Sequence, residues 1–402
     1  MKFKKLATLS LAATIALLPT TGPAFAAPSL DEAPKNENKV NVQAEQGKYV
    51  KGEVVVKFKE GKTLPANKLN KLGAKELDDN QAVLKDTKVK VLKVGNVEAV
   101  VKALNNNPNV EYAEPNYLFE ATYTPNDTYY NGYQYGPQNT STEAAWDITR
   151  GSSSQEIAII DSGVDYNHPD LDGKTIRGYD FVDNDYYPMD LSSHGTHVAG
   201  TAAAETNNSQ GVAGMAPNTS ILAVRALDAN GSGSLNDIAD AIRYSADVGA
   251  EVINLSLGCN CDTQTLEDAV DYAWNSGSVV IAAAGNDGVS TTFEPASYAN
   301  AIAVGAVDSN NNKASFSNYG TWVDVTAPGV SIASTVPNNG YAYKSGTSMA
   351  SPHVAGLAGL LASQGRTNDE IRAAIEQTAD PISGTGYYFE HGVINSYDAV
   401  RY

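Results

Sequence analysis

The chain is poor in thiols, imidazoles and positive charge. Of 402 residues, two are cysteine and five histidine, and 28 Lys and Arg stand against 46 Asp and Glu, a net charge of −18. Two cysteines allow at most one disulfide. No His-Glu-x-x-His segment accompanies the few histidines, which excludes the helical zinc site of the metalloproteases. No Gly-x-x-x-x-Gly-Lys-Ser/Thr is present, which removes the phosphate loop of a nucleotide enzyme. No apolar run reaches the roughly 18 residues that a membrane span needs. The deficit of base argues against nucleic acid or an anionic membrane as a partner.

That deficit lies in one part of the chain. From Tyr123 onward, 10 basic residues face 32 acidic ones, net −22, whereas the first 122 residues hold 18 and 14, net +4. Such a step marks two units with different tasks. The acidic part, about 280 residues, can bury a large single core. Its surface carboxylates favour bound cations that offset their mutual repulsion.

The first 26 residues read as an export signal: Lys2, Lys4 and Lys5, an apolar run from Leu6 to Leu18, then Ala24-Phe25-Ala26 as the cleavage site. The mature protein is therefore expected to be secreted and extracellular. Between signal and acidic part, Tyr49 to Phe58 alternates as a strand does, Asn96 to Leu104 reads as an amphipathic helix, and Val110 to Tyr117 follows it. These make a small α+β domain.

In the acidic part, apolar runs at Ile221 to Ala226, Val252 to Leu257, Ser278 to Ala284 and Ala301 to Val307 alternate with helical patterns. Leu235, Ile238, Ala239, Ile242 and Ala246 share one helix face; Leu266, Ala269, Val270, Ala273 and Trp274 share another. This alternation predicts an α/β fold, a largely parallel sheet covered by helices on both faces. Sites in such sheets gather beyond the carboxyl ends of the strands. Asp161 ends the run Ile157-Ala158-Ile159-Ile160, and Asn286 follows the run that closes at Ala284.

Three blocks carry chemistry. They are Asp161-Ser162-Gly163-Val164, then His194-Gly195-Thr196-His197-Val198-Ala199-Gly200 beginning 33 residues on, and Gly346-Thr347-Ser348-Met349-Ala350-Ser351-Pro352-His353. A serine hydroxyl is a weak nucleophile that needs a base, and the base needs an orienting acid. Taken singly, each of the three reads as readily as a cap, a turn or a loop residue. Together and in the order Asp, His, Ser, the blocks resemble the subtilisin-like serine proteases, whose chain order this is. Tyr123-Thr124-Pro125-Asn126-Asp127, Phe181-Val182-Asp183-Asn184-Asp185 and Leu360-Leu361-Ala362-Ser363-Gln364-Gly365-Arg366 extend the resemblance to the thermitase branch.

The resemblance implies a subtilisin-like peptidase domain over residues 122–402, hydrolysing peptide bonds of proteins and peptides as a monomer. Asp161, His194 and Ser348 would form the triad. The Asn286 amide and the Ser348 N–H would form the oxyanion hole, although Gly285-Asn286-Asp287-Gly288 alone reads as a turn. Gly231-Ser232-Gly233 and Ser256-Leu257-Gly258 would be substrate edges, with Ala283, Ala284 and Gly285 lining the pocket for the residue before the cut. Small uncharged walls suggest large apolar or aromatic side chains there, and broad specificity. Residues 27–121, folded over about 49–120, would be a ferredoxin-like propeptide that acts as folding template and transient inhibitor. The precursor would cut itself near Ala121 to Tyr123.

The resemblance also implies calcium. A first cage would use Asp127, Asp170 and Asn208 side chains with carbonyls of Glu205, Gln210 and Val212. A second would use Asp180, Asp183 and Asp185 with the Tyr187 carbonyl; Met189 stands where the family can offer a polar group, leaving Asp190 or water as substitute. A third, weaker site for calcium or sodium would use Asp324 and carbonyls of Ala296, Tyr298 and Ala301. Cys259 and Cys261, in an exported chain, favour a disulfide; two free thiols are the alternative. His197 and His353 are read as packing residues.

Overall fold

Five strands have no exposed residue on either face beyond their first position: Glu156–Asp161, Ser220–Arg225, Val252–Leu255, Val279–Ala283 and Ala301–Val307. Burial on both faces requires cover on both, and the two apolar clusters supply it. Ile157, Ile159, Ile221, Ala223 and Ile281 face Val198, Ala202, Val354 and Leu357. The alternate residues Ala158, Ile160, Leu222, Val224 and Val280 face Ile238, Ile242, Leu266 and Val270. Successive side chains of a strand point to opposite faces, so each strand serves both cores.

The sheet has eight strands in the spatial order Gly392–Val393, Val325–Pro328, Ala301–Val307, Val279–Ala283, Val252–Leu255, Glu156–Asp161, Ser220–Arg225, Thr175–Asp180. All its pairings are parallel. Helices His194–Ala203 and Thr347–Ala362 cover one face, Leu235–Asp247 and Gln264–Asn275 the other. The expected α/β architecture is what the structure has. The strand order reverses between Glu156–Asp161 and Val252–Leu255, which places the crevice of the fold beyond Asp161 and Leu255.

Helix Thr347–Ala362 is buried along its whole length, as an all-round apolar sequence demands. Small residues let it approach the sheet: a Cβ on Gly359 would stand 2.9 Å from Ile157 Cδ1.

This computed structural model describes residues 49–76, 89–117 and 123–402, with the strand Thr14–Ala16. Apart from that strand, the export-signal reading lies outside the described residues, as do residues 27–48 and Ala121 and Thr122 of the expected processing site. Contacts divide the chain into two compact units, one of them Asn41–Ala121. That unit is an antiparallel four-stranded sheet in the order Lys75–Glu76, Val89–Lys93, Tyr49–Phe58, Val110–Tyr117. Helices Ala66–Lys71 and Val97–Asn105 complete a βαββαβ chain order. Val97, Val100 and Leu104 repeat at helical spacing to meet Val54, Val56 and Phe58. Asn96 caps the second helix, accepting from Ala99 N–H at 2.9 Å.

Candidate active site

Asp161 is fully buried at the end of its strand. His194 opens helix His194–Ala203, and its Nδ1 lies 2.8 and 2.9 Å from the two Asp161 carboxylate oxygens, while 17% of its side chain remains exposed. Such closeness needs a bare backbone beside it. A Cβ on Gly195 would overlap the Gly163 carbonyl and stand 3.0 Å from Asp161 Cβ.

The residue that holds this arrangement is Asp190. One of its oxygens accepts from Ser162 Oγ at 2.9 Å and from the N–H groups of Ser192 and Ser193; the other accepts from Thr196 N–H at 2.9 Å and Thr196 Oγ at 2.6 Å. Asp190 thus caps the His194 helix and ties it to the residue after Asp161. Its two oxygens accept from five donors here.

Ser348 is the second residue of its helix, so its N–H lacks an intrahelical partner. Four residues on stands Pro352, which has no N–H to give the Ser348 carbonyl. Ser256 Oγ donates to that carbonyl instead, at 2.9 Å, and Ser348 Oγ donates back to the Ser256 carbonyl at 3.1 Å. Asn254 holds Ser256 Oγ at 3.0 Å and accepts from Ser351 Oγ at 2.7 Å. The Ser348 hydroxyl therefore bonds to Ser256 and not to His194. Such hydroxyls tighten onto the base when substrate enters.

Asn286 has a defined orientation. Its Oδ1 accepts from Thr347 N–H at 2.8 Å and Thr347 Oγ at 3.1 Å, and Thr347 Oγ accepts from Gly285 N–H. With Oδ1 committed, Nδ2 remains as donor, and a Cβ on Gly346 would stand 3.6 Å from it and 3.7 Å from the Ser348 nitrogen.

Ser256-Leu257-Gly258 and Ala284-Gly285 continue adjacent strands, Val252–Leu255 and Val279–Ala283, and leave the sheet side by side. Ser232–Ser234, beside Gly231, is a separate edge on which Thr14–Ala16 lies antiparallel. Cys259 and Cys261 face each other with α-carbons 5.2 Å apart.

The acid clusters differ from one another. Asp127 and Asp170 are buried. Asp127 accepts from Asn207 N–H at 2.7 Å; Asp170 accepts from Asn208 Nδ2, Val212 N–H and Tyr341 Oη at 2.9, 2.9 and 3.0 Å. Burial pushes both carboxyls up, and Asp170 adds its charge at Asp127. Burial pushes the imidazole of neighbouring His168 down, and its Nδ1 accepts the Asp170 N–H at 3.1 Å. Two buried carboxylates with no cationic partner fit a hard cation. Gly211, in the turn that carries Asn208 and Gln210, passes directly over Asp170, since a Cβ on it would overlap Asp170 Oδ2 and Tyr341 Oη. Asn208 Oδ1 accepts from Gln210 N–H at 2.9 Å, and Glu205 donates its N–H to the Asp170 carbonyl.

At the second cluster Arg225, buried, donates to Asp180 at 2.8 Å and to Asp183 at 2.6 Å. Asp185 accepts from Tyr187 N–H at 2.8 Å and exchanges backbone bonds with Asp180. At the third, Asp324 accepts from Ala303 N–H at 2.7 Å and meets Arg372 at 3.4 Å, and burial pushes its carboxyl up to about 6. The Tyr298 carbonyl takes the Ala301 N–H, and Ala296 is buried beside them. Sequence reading missed both arginines. Among the described residues no three His, Cys, Asp or Glu side chains converge as a metal cluster.

Known proteins resemble the chain over both of its units. The model of the subtilase family matches residues 152–397, and that of the fervidolysin N-terminal prodomain matches residues 35–116. The chain is 70% identical to a thermophilic serine proteinase of Bacillus sp. (strain AK1), over the full length of both. It is 60% identical to thermitase of Thermoactinomyces vulgaris, over 70% of this chain and all of that one. A solved protease from Pseudoalteromonas arctica PAMC 21717 superposes with a TM-score of 0.62 at 32% identity, over 69% of this chain and 99% of its own. With more than half of its length matched, and a prodomain preceding the match, the chain belongs to the subtilase family, in its thermitase branch, and is a serine endopeptidase.

Proposed function

We propose that the protein is a secreted, calcium-stabilised endopeptidase working through Asp161, His194 and Ser348. The observation that carries this reading is the paired contact of His194 Nδ1 with the Asp161 carboxylate at 2.8 and 2.9 Å. That contact fixes the proton on Nδ1 and leaves Nε2 as base. Ser348 Oγ attacks the scissile carbonyl and passes its proton to His194 Nε2, which returns it to the leaving amine. Water then cleaves the acyl-enzyme by the same relay. Charge on the carbonyl oxygen is met by Asn286 Nδ2 and the Ser348 N–H. Losing one such donor costs roughly 10²- to 10³-fold in rate in a related family member.

Residues 27–121 act as the transient inhibitor, and the active chain releases itself by cutting near Ala121 to Tyr123. The match to a protease prodomain supports this part. Calcium binds Asp127 and Asp170, a reading supported by their burial without a cationic partner. Cys259 and Cys261 form a disulfide.

The test is a serine-directed phosphonylating inhibitor on the purified mature protein, followed by peptide mass mapping and a casein assay. A single adduct on Ser348 with loss of casein cleavage is expected. A folded, processed sample that takes no adduct overturns the assignment and favours a peptide-binding role for the cleft. In the precursor, Ser348→Ala should accumulate uncleaved; its normal maturation in the absence of other proteases would overturn self-processing.

A further inference from the structure

The slot between the two wall segments is not empty. Leu255 and Ala282 are register partners, so Ser256-Leu257-Gly258 and Ala284-Gly285-Asn286 diverge from neighbouring points of the sheet. The ring of Phe293 touches both walls. A Cβ on Gly258 would overlap Phe293 Cε1, and one on Gly285 would stand 3.0 Å from its Cγ and 3.1 Å from its Cδ1. Ser256-Leu257-Gly258 and Ala284-Gly285 are buried, yet the ring is only half-buried. It also belongs to none of the buried apolar clusters of the described residues. An aromatic ring that packs on glycine backbone outside the core, with one side open, occupies space that a ligand side chain would otherwise fill.

The neighbours of Phe293 hold it there. Cys259 and Glu294 exchange both backbone hydrogen bonds, at 2.8 and 2.9 Å, which ties the residue after Phe293 to the residue after Gly258. The Glu294 carboxylate, itself buried, accepts from Cys261 N–H at 3.2 Å and Ser297 Oγ at 2.9 Å. The segment is anchored on both sides of its backbone.

The geometry points to Phe293 as the residue that sets the depth of the pocket for the substrate side chain before the cut, restricting it to small uncharged residues such as alanine and valine. This rests on the proposed use of the two walls as that pocket. It narrows the expectation of large aromatic side chains drawn from the walls alone, because those walls are small but the slot between them is filled. Differences of a methylene in an apolar pocket discriminate by roughly 10- to 200-fold, and a whole ring exceeds a methylene.

The test is a series of chromogenic peptides differing only in the last residue, alanine, valine, leucine or phenylalanine, with the mature enzyme and with Phe293→Ala. The native enzyme should prefer alanine and valine to phenylalanine by at least about 10-fold in kcat/KM. Phe293→Ala should raise the phenylalanine value by roughly 10- to 100-fold and leave alanine within about threefold. Equal use of alanine and phenylalanine by the native enzyme, with the ratio unmoved in the variant, overturns the inference, since the ring then swings aside. Should the variant melt early, the native series decides alone. Failure to cleave any peptide, together with no phosphonyl adduct on Ser348, overturns the peptidase assignment instead, which is a distinguishable result.

Discussion

Asp180 and Asp183 share one guanidinium, that of Arg225, at 2.8 and 2.6 Å, whereas Asp127 and Asp170 have only N–H and O–H donors around them. Both regions bring two acids together. In the first, the chain supplies the compensating charge from the neighbouring strand Ser220–Arg225. In the second it supplies dipoles, and the carboxyls are pushed up by burial as a consequence. Acid clustering alone is thus a poor guide to where a metal is required. What decides is whether a protein cation already reaches the cluster.

The largest effect should come from removing that cation. Arg225→Met leaves the fully buried Asp180 unpaired, at a cost of about 3 kcal/mol, the lower end for a broken buried pair because Asp183 is 61% exposed. Thermal melting in calcium-free buffer measures it. The comparison sharpens further if the variant's calcium response at this cluster differs from that of the native protein. An unchanged melting point would break it.

Somewhat smaller is the loss on chelation of the native protein. A ligand held only by the folded state at about 100 times its Kd contributes about 2.7 kcal/mol. Excess chelator should therefore lower the melting temperature by several degrees, and Asp170→Asn should melt at the same temperature with and without calcium. A native melting curve indifferent to chelator would remove calcium from Asp127 and Asp170.

The blocks around Asp161, His194 and Ser348 were legible in the sequence because each is contiguous and each adjoins an apolar run whose burial places it at a strand end or helix start. Strands such as Val279–Ala283 were legible for the same reason. Thr175–Asp180 was not, because as an edge strand it carries exposed Ile176 and Arg177 and shows no continuous apolar run. Arg225 reaches acids 42 and 45 residues away, a distance no local pattern encodes. Asp190 sat next to a suspected metal cluster, and only its five donors reveal a cap. Asn254, a lone amide within the apolar strand Val252–Leu255, was a readable sign, since a buried polar group must have a partner, and that partner is Ser256, which holds the Ser348 carbonyl.

A third way of meeting burial is to carry no charge at all, and two histidines of the peptidase unit take it. His353 is buried with Nδ1 on the Met349 carbonyl at 2.8 Å, and burial pushes it down to about 4; His197, held on the Ile332 carbonyl, is pushed down to about 3. For a base depressed in the fold, the unfolded chain binds a proton that the native one refuses. Stability is then present in full above the unfolded value near 6.5 and is lost as the pH falls toward 4. Each such group contributes at most about 1.4 kcal/mol per pH unit within that window. His353→Gln should therefore flatten the fall in stability between roughly pH 6.5 and 4 by up to about that slope, read from denaturant unfolding at constant calcium. It should leave the dependence above pH 7 unchanged. An equal slope in native and variant would mean that His353 is protonated within the fold, and that the interior meets this charge as Arg225 meets its acids, with a partner and not by exclusion.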